Sequence, residues 1–318
     1  MCAQDGVVQR AVAVAVVGRR PDDDGALSVP LPDDGRFEVV AYCDEGLPGH
    51  ETRRGPATHY TDYNVLLQES PAEVMFVTGP VEKRRDFAVR ALNAGRHAVL
   101  DLPFCQDAAG AERVMKTALQ RGLVATADLP WRRDPDLLAV RAALEAENLG
   151  APWGVLCSVS RAAPEADAPA GPPLLDDIGL AMLDQVHLLL DQDVRSVTTH
   201  LNRPAPGADE AGFLVYLPLR KGGWAAAQAA CGPTGLPHWT LYGAHATITA
   251  QGGRAIVTTD GATRSYEPTP RREAFWDNLH AVLREGAAPL YHPAGIVRAM
   301  KLMAAARESA DRGDPVTI

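Results

Sequence analysis

The sequence predicts two α/β units: a doubly wound parallel sheet over residues 1–128, and an α+β domain with an open, mostly antiparallel sheet over 129–318. Two observations carry the prediction. In the first part, continuous apolar runs of strand length alternate with helical segments across short connections, the pattern of a parallel sheet covered on both faces. In the second part, six alternating stretches are separated by turn residues, as in strands with one solvated face.

The elements follow in order. Val12–Val17 is an unbroken apolar run ending at Gly18, a strand buried on both faces. A polar, Pro/Asp-rich segment follows, then strand-like residues 37–44 ending at Asp44. Residues 63–68 read as a helix, 74–78 as a third strand, and 86–94 as a helix stopped by Gly95. Residues 97–101 form a fourth strand closed by Pro103, Ala108–Arg121 a helix stopped by Gly122, 123–127 a fifth strand and 139–147 a helix. Ligands of such sheets sit beyond the carboxyl ends of the strands. Gly18, Asp44, Thr78-Gly79-Pro80 and Asp101-Leu102-Pro103 are therefore expected around one crevice.

Gly154–Arg161 is strand-like, and 162–173 is an Ala/Pro/Gly-rich loop. The helix that starts at Leu174 has apolar residues at 175, 178, 182, 183, 186, 189 and 190. Asp177, Ala181, Asp184 and His187 fall on another face, at steps of three and four. Pro172-Pro173 lead in, and Asp176-Asp177 sit at its positive dipole end. The alternating stretches are 194–202, 212–219, 223–230, 238–242, 246–251 and 254–259. Residues 272–284 and Pro293–Arg312 are helices, the last expected to pack back on the first domain.

Of the 318 residues 46% are hydrophobic and 22% charged, which is globular composition. A net charge of −9 argues against non-specific nucleic-acid binding and against docking on acidic membranes. No apolar run approaches the roughly 20 residues of a bilayer span. The start, Met1-Cys2-Ala3-Gln4-Asp5-Gly6, lacks a basic n-region, so a cytoplasmic location is expected. The five scattered cysteines carry no CxxC spacing and are expected reduced, with no metal site.

Several weak motifs stand in order along nearly the whole chain. Phe76-Val77-Thr78-Gly79-Pro80 is similar to a V-V-x-T-P strand end, and residues 91–103, ending Leu100-Asp101-Leu102-Pro103, to an A-L-x-A-G-K-H-V-L-x-E-K-P block. Leu175-Asp176-Asp177-Ile178-Gly179 through Asp184 is similar to L-x-D-x-G-x-H-x-x-D. Residues 240–248 and the tail 308–316 match two further patterns, x-x-x-G-x-x-G-x-x and x-S-A-x-x-G-x-x-V. Together they resemble the Gfo/Idh/MocA family of NAD(P)-dependent oxidoreductases. The resemblance implies a Rossmann-like first domain, a substrate domain with an open sheet, and subunit pairing through that sheet.

The resemblance also assigns roles, and the residues meet them unevenly. A dinucleotide fingerprint needs three glycines. Here they are Gly18, Arg20 and Asp23, so only the first is kept. Asp22-Asp23-Asp24 would place carboxylates against a pyrophosphate, at about 1–4 kcal/mol each. Arg19 and Arg20 offset part of this charge. Asp44 falls where the family's ribose-binding acid stands, and is equally readable as a turn residue. Thr78 and Pro80 complete the implied cofactor edge, should NAD or NADP bind.

Leu102 stands at the family's proton-transferring lysine and Ala181 at its catalytic histidine, and neither moves a proton. Asp177 matches the substrate-binding acid and Asp184 the later one. His187, ten residues past Asp177 and so about 15 Å along the axis, does not replace the imidazole; its plainer reading is a pair with Asp184. Arg84, in the basic run 82–85, reads as a solvated helix start or an anion contact. Trp131 and Arg132 follow the fifth strand, where the family places substrate contacts; with Arg84, Leu102, Asp176, Ala181 and Asp184 they form the expected pocket. The sum points to a chain that has lost standard dehydrogenase chemistry and keeps no cofactor, binding a small molecule or completing a homo- or hetero-oligomer. Two readings stay open: an oxidoreductase with atypical residues, and a cofactor-free isomerase, lyase or cyclase using Asp177 or Asp101.

Overall fold

The computed structural model describes residues 10–18, 31–44, 57–147, 149, 152–162, 172–190, 193–204, 210–232, 235–268, 275–291 and 293–318. The chain divides into two compact units, Met1–Asp128 with Arg272–Ala294, and Leu129–Arg271 with Gly295–Ile318.

The first unit holds β1 (Val12–Val17), β2 (Phe37–Cys43), β3 (Thr58–Tyr60), α1 (Tyr63–Glu69), β4 (Val74–Val77), α2 (Val81–Asn93), β5 (His97–Leu100), α3 (Ala108–Arg121) and β6 (Ala125–Thr126). Its six strands are all parallel, in the order β3-β2-β1-β4-β5-β6. Every residue of β1 is buried, as its unbroken apolar run requires. This is a Rossmann-like doubly wound sheet, and its order reverses between β1 and β4. Both strands end in a glycine there. Gly18 has φ +90°, and a Cβ on it would stand 2.5 Å from the Thr78 carbonyl oxygen; one on Gly79 would stand 2.0 Å from the Gly18 oxygen. The two turns press backbone on backbone, which only glycine permits.

The second unit opens with a short 3-10 turn, Pro130–Arg133, then α4 (Pro135–Ala146), β7 (Gly154–Arg161), α5 (Leu174–Leu188), β8 (Ser196–Asn202), β9 (Gly212–Pro218), β10 (Trp224–Cys231), β11 (Trp239–Tyr242), β12 (Thr247–Gln251), β13 (Arg254–Thr258) and β14 (Thr263–Tyr266). The chain then supplies α6 (Phe275–Glu285) to the first unit and ends in the second with α7 (Pro293–Arg312) and β15 (Val316–Thr317). The nine strands run β14-β13-β12-β11-β7-β10-β9-β8-β15, antiparallel except for the pair β7–β10. Helices α4 and α5 cover one face. Beneath them lie Val155, Cys157, Val215, Leu217, Trp239 and Leu241, all fully buried. The alternate residues form the other face. There Trp153 stacks on Tyr242 at 5.2 Å, Tyr242 lies 6.1 Å from Trp224, and Trp224 6.4 Å from Tyr216.

Several boundaries differ from the expected ones for local reasons. Helix α4 starts at Pro135 rather than 139, because Asp134 caps it and proline suits the first helical position. Helix α2 starts at Val81, directly after Pro80. The short strands β3, β14 and β15 carry too few residues to register as periodic. The helix that returns to the first unit is α6 and not α7. Its Trp276 meets Phe37 at 5.2 Å and Phe76 at 6.0 Å, and Arg284 pairs with Glu73 at 2.8 Å. Cys105, Cys157 and Cys231 are free thiols. No helix among the described residues is long and apolar enough to cross a membrane.

Candidate functional site

In the first unit the expected ligand edge is built from strand ends. Thr78 donates its hydroxyl to the Val17 carbonyl at 3.4 Å, tying β4 to β1, and Pro80 sits at the start of α2. Asp44, 7% exposed, follows β2, and its carboxylate lies 3.2 Å from His59 Nε2 on β3. Asp101 follows β5. One of its oxygens accepts from the Leu102 amide at 2.9 Å, and the other lies 3.6 Å from the Arg84 guanidinium. Leu102 is half-buried and joined to Pro103 by a cis peptide bond.

Arg84 corrects its expected role. It is buried on α2 rather than solvated, and it donates to the Gly79 carbonyl at 3.0 Å and the Pro103 carbonyl at 2.6 Å. Burial lowers the guanidinium pKa, with Asp101 acting in the opposite sense. The side chain clamps the β4–α2 turn to the β5–α3 turn, and its donors are spent on the protein's own backbone.

In the second unit α5 carries the expected wall, and its acids are engaged. Asp184 is 1% exposed; it accepts from Trp131 Nε1 at 2.7 Å and from Arg132 at 2.7 and 2.6 Å, a two-pronged contact. Gln185 donates to the Trp131 carbonyl at 2.6 Å. Trp131, Arg132 and Asp184 thus fasten the 3-10 turn to α5. Asp177 pairs with Arg161 at the end of β7, and Asp176 with Arg307 of α7, both at 2.6 Å and both half-exposed. Glu210 accepts from the Leu175 amide at 3.2 Å and from Arg203 at 3.0 Å. Ala181 stands half-buried on this helix.

His187 does not pair with Asp184, whose oxygens are taken. Its Nε2 lies 3.1 Å from Arg298, while Nδ1 is buried without a partner among the described residues. Burial lowers its pKa first, and the Arg298 charge adds to that. Sequence reasoning missed Arg161, Arg298, Arg307 and His59. No local signal exists for them, since each reaches its partner from a distant element.

At the implied dinucleotide edge the described residues also serve the fold itself. Gly18 is required by the Thr78 and Gly79 backbones whether or not a ligand binds, and the Asp44 carboxylate already meets His59. The fingerprint positions Arg20 and Asp23, with Arg19, Asp22 and Asp24, lie outside the described residues; their side chains are not those that let backbone approach a pyrophosphate.

No family model matches the chain. Over 173 residues it is 25% identical to inositol 2-dehydrogenase of Salmonella typhimurium, covering 52% of this chain and 51% of that one. Over 140 residues it is 29% identical to dTDP-3,4-didehydro-2,6-dideoxy-alpha-D-glucose 3-reductase of Streptomyces violaceoruber, covering 42% and 40%. The chain thus spans about half the length of the curated relatives it matches. Solved structures match throughout. A NAD-binding protein from Listeria innocua superposes with TM-score 0.75 at 19% identity, over 97% of both chains. An oxidoreductase from Bacillus cereus gives 0.77 at 15%, over 97% of this chain and 99% of that one.

By fold, the chain is similar to these NAD-binding and oxidoreductase proteins, as the Gfo/Idh/MocA resemblance of its motifs implies. The strand-end turns, the acidic helix and a nine-stranded sheet are all present. Leucine and alanine occupy the two positions at which the motif resemblance calls for lysine and histidine.

Proposed function

We propose that this Gfo/Idh/MocA-type chain does not perform the standard NAD(P)-dependent dehydrogenation, and acts instead as a small-molecule-binding or partner subunit. One observation carries the reading. At the implied catalytic wall Ala181 replaces the imidazole, and the acids on either side are held by arginines, Asp177 by Arg161 and Asp184 by Arg132. Leu102 supplies no proton either. Titration of the purified chain with NADH and NADPH, followed by nicotinamide fluorescence and calorimetry, is expected to show no saturable binding at micromolar cofactor. A micromolar Kd for either would sink the proposal.

A second reading draws on the Gly18–Gly79 turn at the β1–β4 switch point, where ligands of doubly wound sheets sit. It is a reductase of an already activated C=N or C=C bond, which needs less acid catalysis from the protein. Oxidation of NADPH by such acceptors, unaffected by Leu102→Lys and Ala181→His, would favour it. A cofactor-free reaction through Asp101 or Asp177 is the less supported option, because each is engaged, by Arg84 or Arg161.

The partner we propose is a second copy, docked through the open sheet. Its uncovered face carries Tyr216, Ala226, Leu156, Thr240, Thr249 and Ile256 in register across six strands, without a charge in the row. Strands about 4.8 Å apart and some 13–26 Å long give a face of several hundred Å², on the scale of the roughly 800 Å² per partner of a standard interface. A dimer is expected in light scattering, in a cytoplasmic protein; a monomer at micromolar concentration would contradict it.

A further inference from the structure

We propose that Asp134, Asp136 and His238 form a divalent-cation site in the second unit, binding a first-row metal such as Zn²⁺, Mn²⁺ or Co²⁺. One ligand atom from each lies within 4.8 Å of the others. Asp134 caps α4, its Oδ1 accepting from the Asp136 and Leu137 amides at 3.0 and 3.1 Å. Asp136, in the first turn of α4 and 8% exposed, accepts from the Gly253 amide at 2.5 Å through Oδ1. Its Oδ2 lies 2.9 Å from His238 Nδ1, and Asp134 Oδ1 lies 3.7 Å from the same nitrogen. At an ion bonded at roughly 2.0–2.2 Å the two donor pairs that share Nδ1 subtend about 80–95° and about 115–135°. Imidazole with carboxylates and no thiolate is a donor set for Zn²⁺, Mn²⁺ or Co²⁺ rather than for a soft ion.

Charge supplies an independent reason. In this unit Asp184 meets Arg132, Glu210 meets Arg203 and Glu147 meets Arg264. Among the described residues neither Asp134 nor Asp136 has a lysine or arginine partner, so two carboxyl groups face one imidazole. Asp134 is partly exposed, but Asp136 is buried, and a buried carboxylate is ordinarily paired or bound to metal. His238 Nδ1 faces Asp136, and an ion there would take its lone pair with the proton on Nε2. The ion would cross-link the start of α4, the start of β11 and the β12–β13 turn.

The test uses the full chain, stripped with chelator and titrated with Zn²⁺ and with Co²⁺ alone by calorimetry, thermal unfolding and visible spectroscopy. One equivalent is expected to bind with a Kd of micromolar or below, to raise Tm by several degrees, and to give Co²⁺ bands without thiolate charge transfer. Asp134→Ser keeps the helix cap and removes the carboxylate, and His238→Gln removes the imidazole; each is expected to weaken binding at least tenfold. Failure of the wild-type chain to bind one equivalent overturns the proposal, as does a thiolate band or unchanged affinity in either variant. Because the wild-type spectrum stands alone, a variant that does not fold leaves the test intact.

Discussion

Asp184 illustrates how little a residue's type says about its work. Its place on an acidic helix makes it look reactive, yet 1% exposure and contacts to Trp131 and Arg132 make it a fastener. Asp184→Ala removes the carboxylate that both Arg132 and Trp131 grip in a buried site, so a loss of about 3–5 kcal/mol is expected in denaturant unfolding of the second unit. Gly18 is a second such residue. Gly18→Ala drives a Cβ into the Thr78 carbonyl at a positive φ and is expected to destabilise by more than Gly122→Ala, which has the positive φ but open space around it. The paired comparison, by thermal unfolding, separates the steric cost from the conformational one.

Histidine sets the pH response at the same scale. Burial lowers the pKa of both His97 and His187 from an ordinary value of 6.5, and His97 Nδ1 accepts from the Val124 amide, a bond that needs an unprotonated nitrogen. The unfolded chain therefore takes up these protons first as pH falls. Stability is expected to be level above about pH 7 and to decline from 6.5 down through the folded values. Glu73, whose carboxyl is lowered from 4.5 chiefly by its hydrogen bond to Arg284, adds a second decline below 4.5. His187→Gln should flatten part of the first limb in unfolding measured across pH, and an unchanged limb would rule His187 out as a contributor.

Among the elements, the boundaries that sequence placed well are those with a chemical stop. Ala108–Arg121 is bounded by the Asp107 cap and left-handed Gly122, and residues and structure agree on it. The start of α4 carried the same kind of signal in Asp134-Pro135, which the search for apolar periodicity passed over. The role of Arg84 had no such signal. Its helix periodicity is plain, but the carbonyls it grips belong to turns at Gly79 and Pro103, one on either side of it in sequence. Arg84→Met is expected to fold and to cost about 1.5–3 kcal/mol. It should speed amide exchange at both turns together; faster exchange at only one of them would mean that it does not clamp the pair.

For the whole molecule, the strand-and-helix order sufficed to reach the fold class, a doubly wound sheet followed by an open antiparallel one. Each strand announces its own environment, continuous apolar where both faces are covered and alternating where one is not. Solubility class and charge follow from composition in the same way. Sequence also shows which residue types stand at the functional positions: leucine at 102, alanine at 181, arginine at 20. Only the tertiary structure decided what those positions face. It gave Asp184 to Arg132, Asp177 to Arg161 and His187 to Arg298, and it brought His238 to Asp136 across 102 residues. The physical reason is the reach of the forces involved. Periodicity, capping and turn preference act within a few residues and are written locally, whereas ion pairs and ligand sets depend on which distant side chains the packed sheet brings within about 3–4 Å, and no local pattern encodes that.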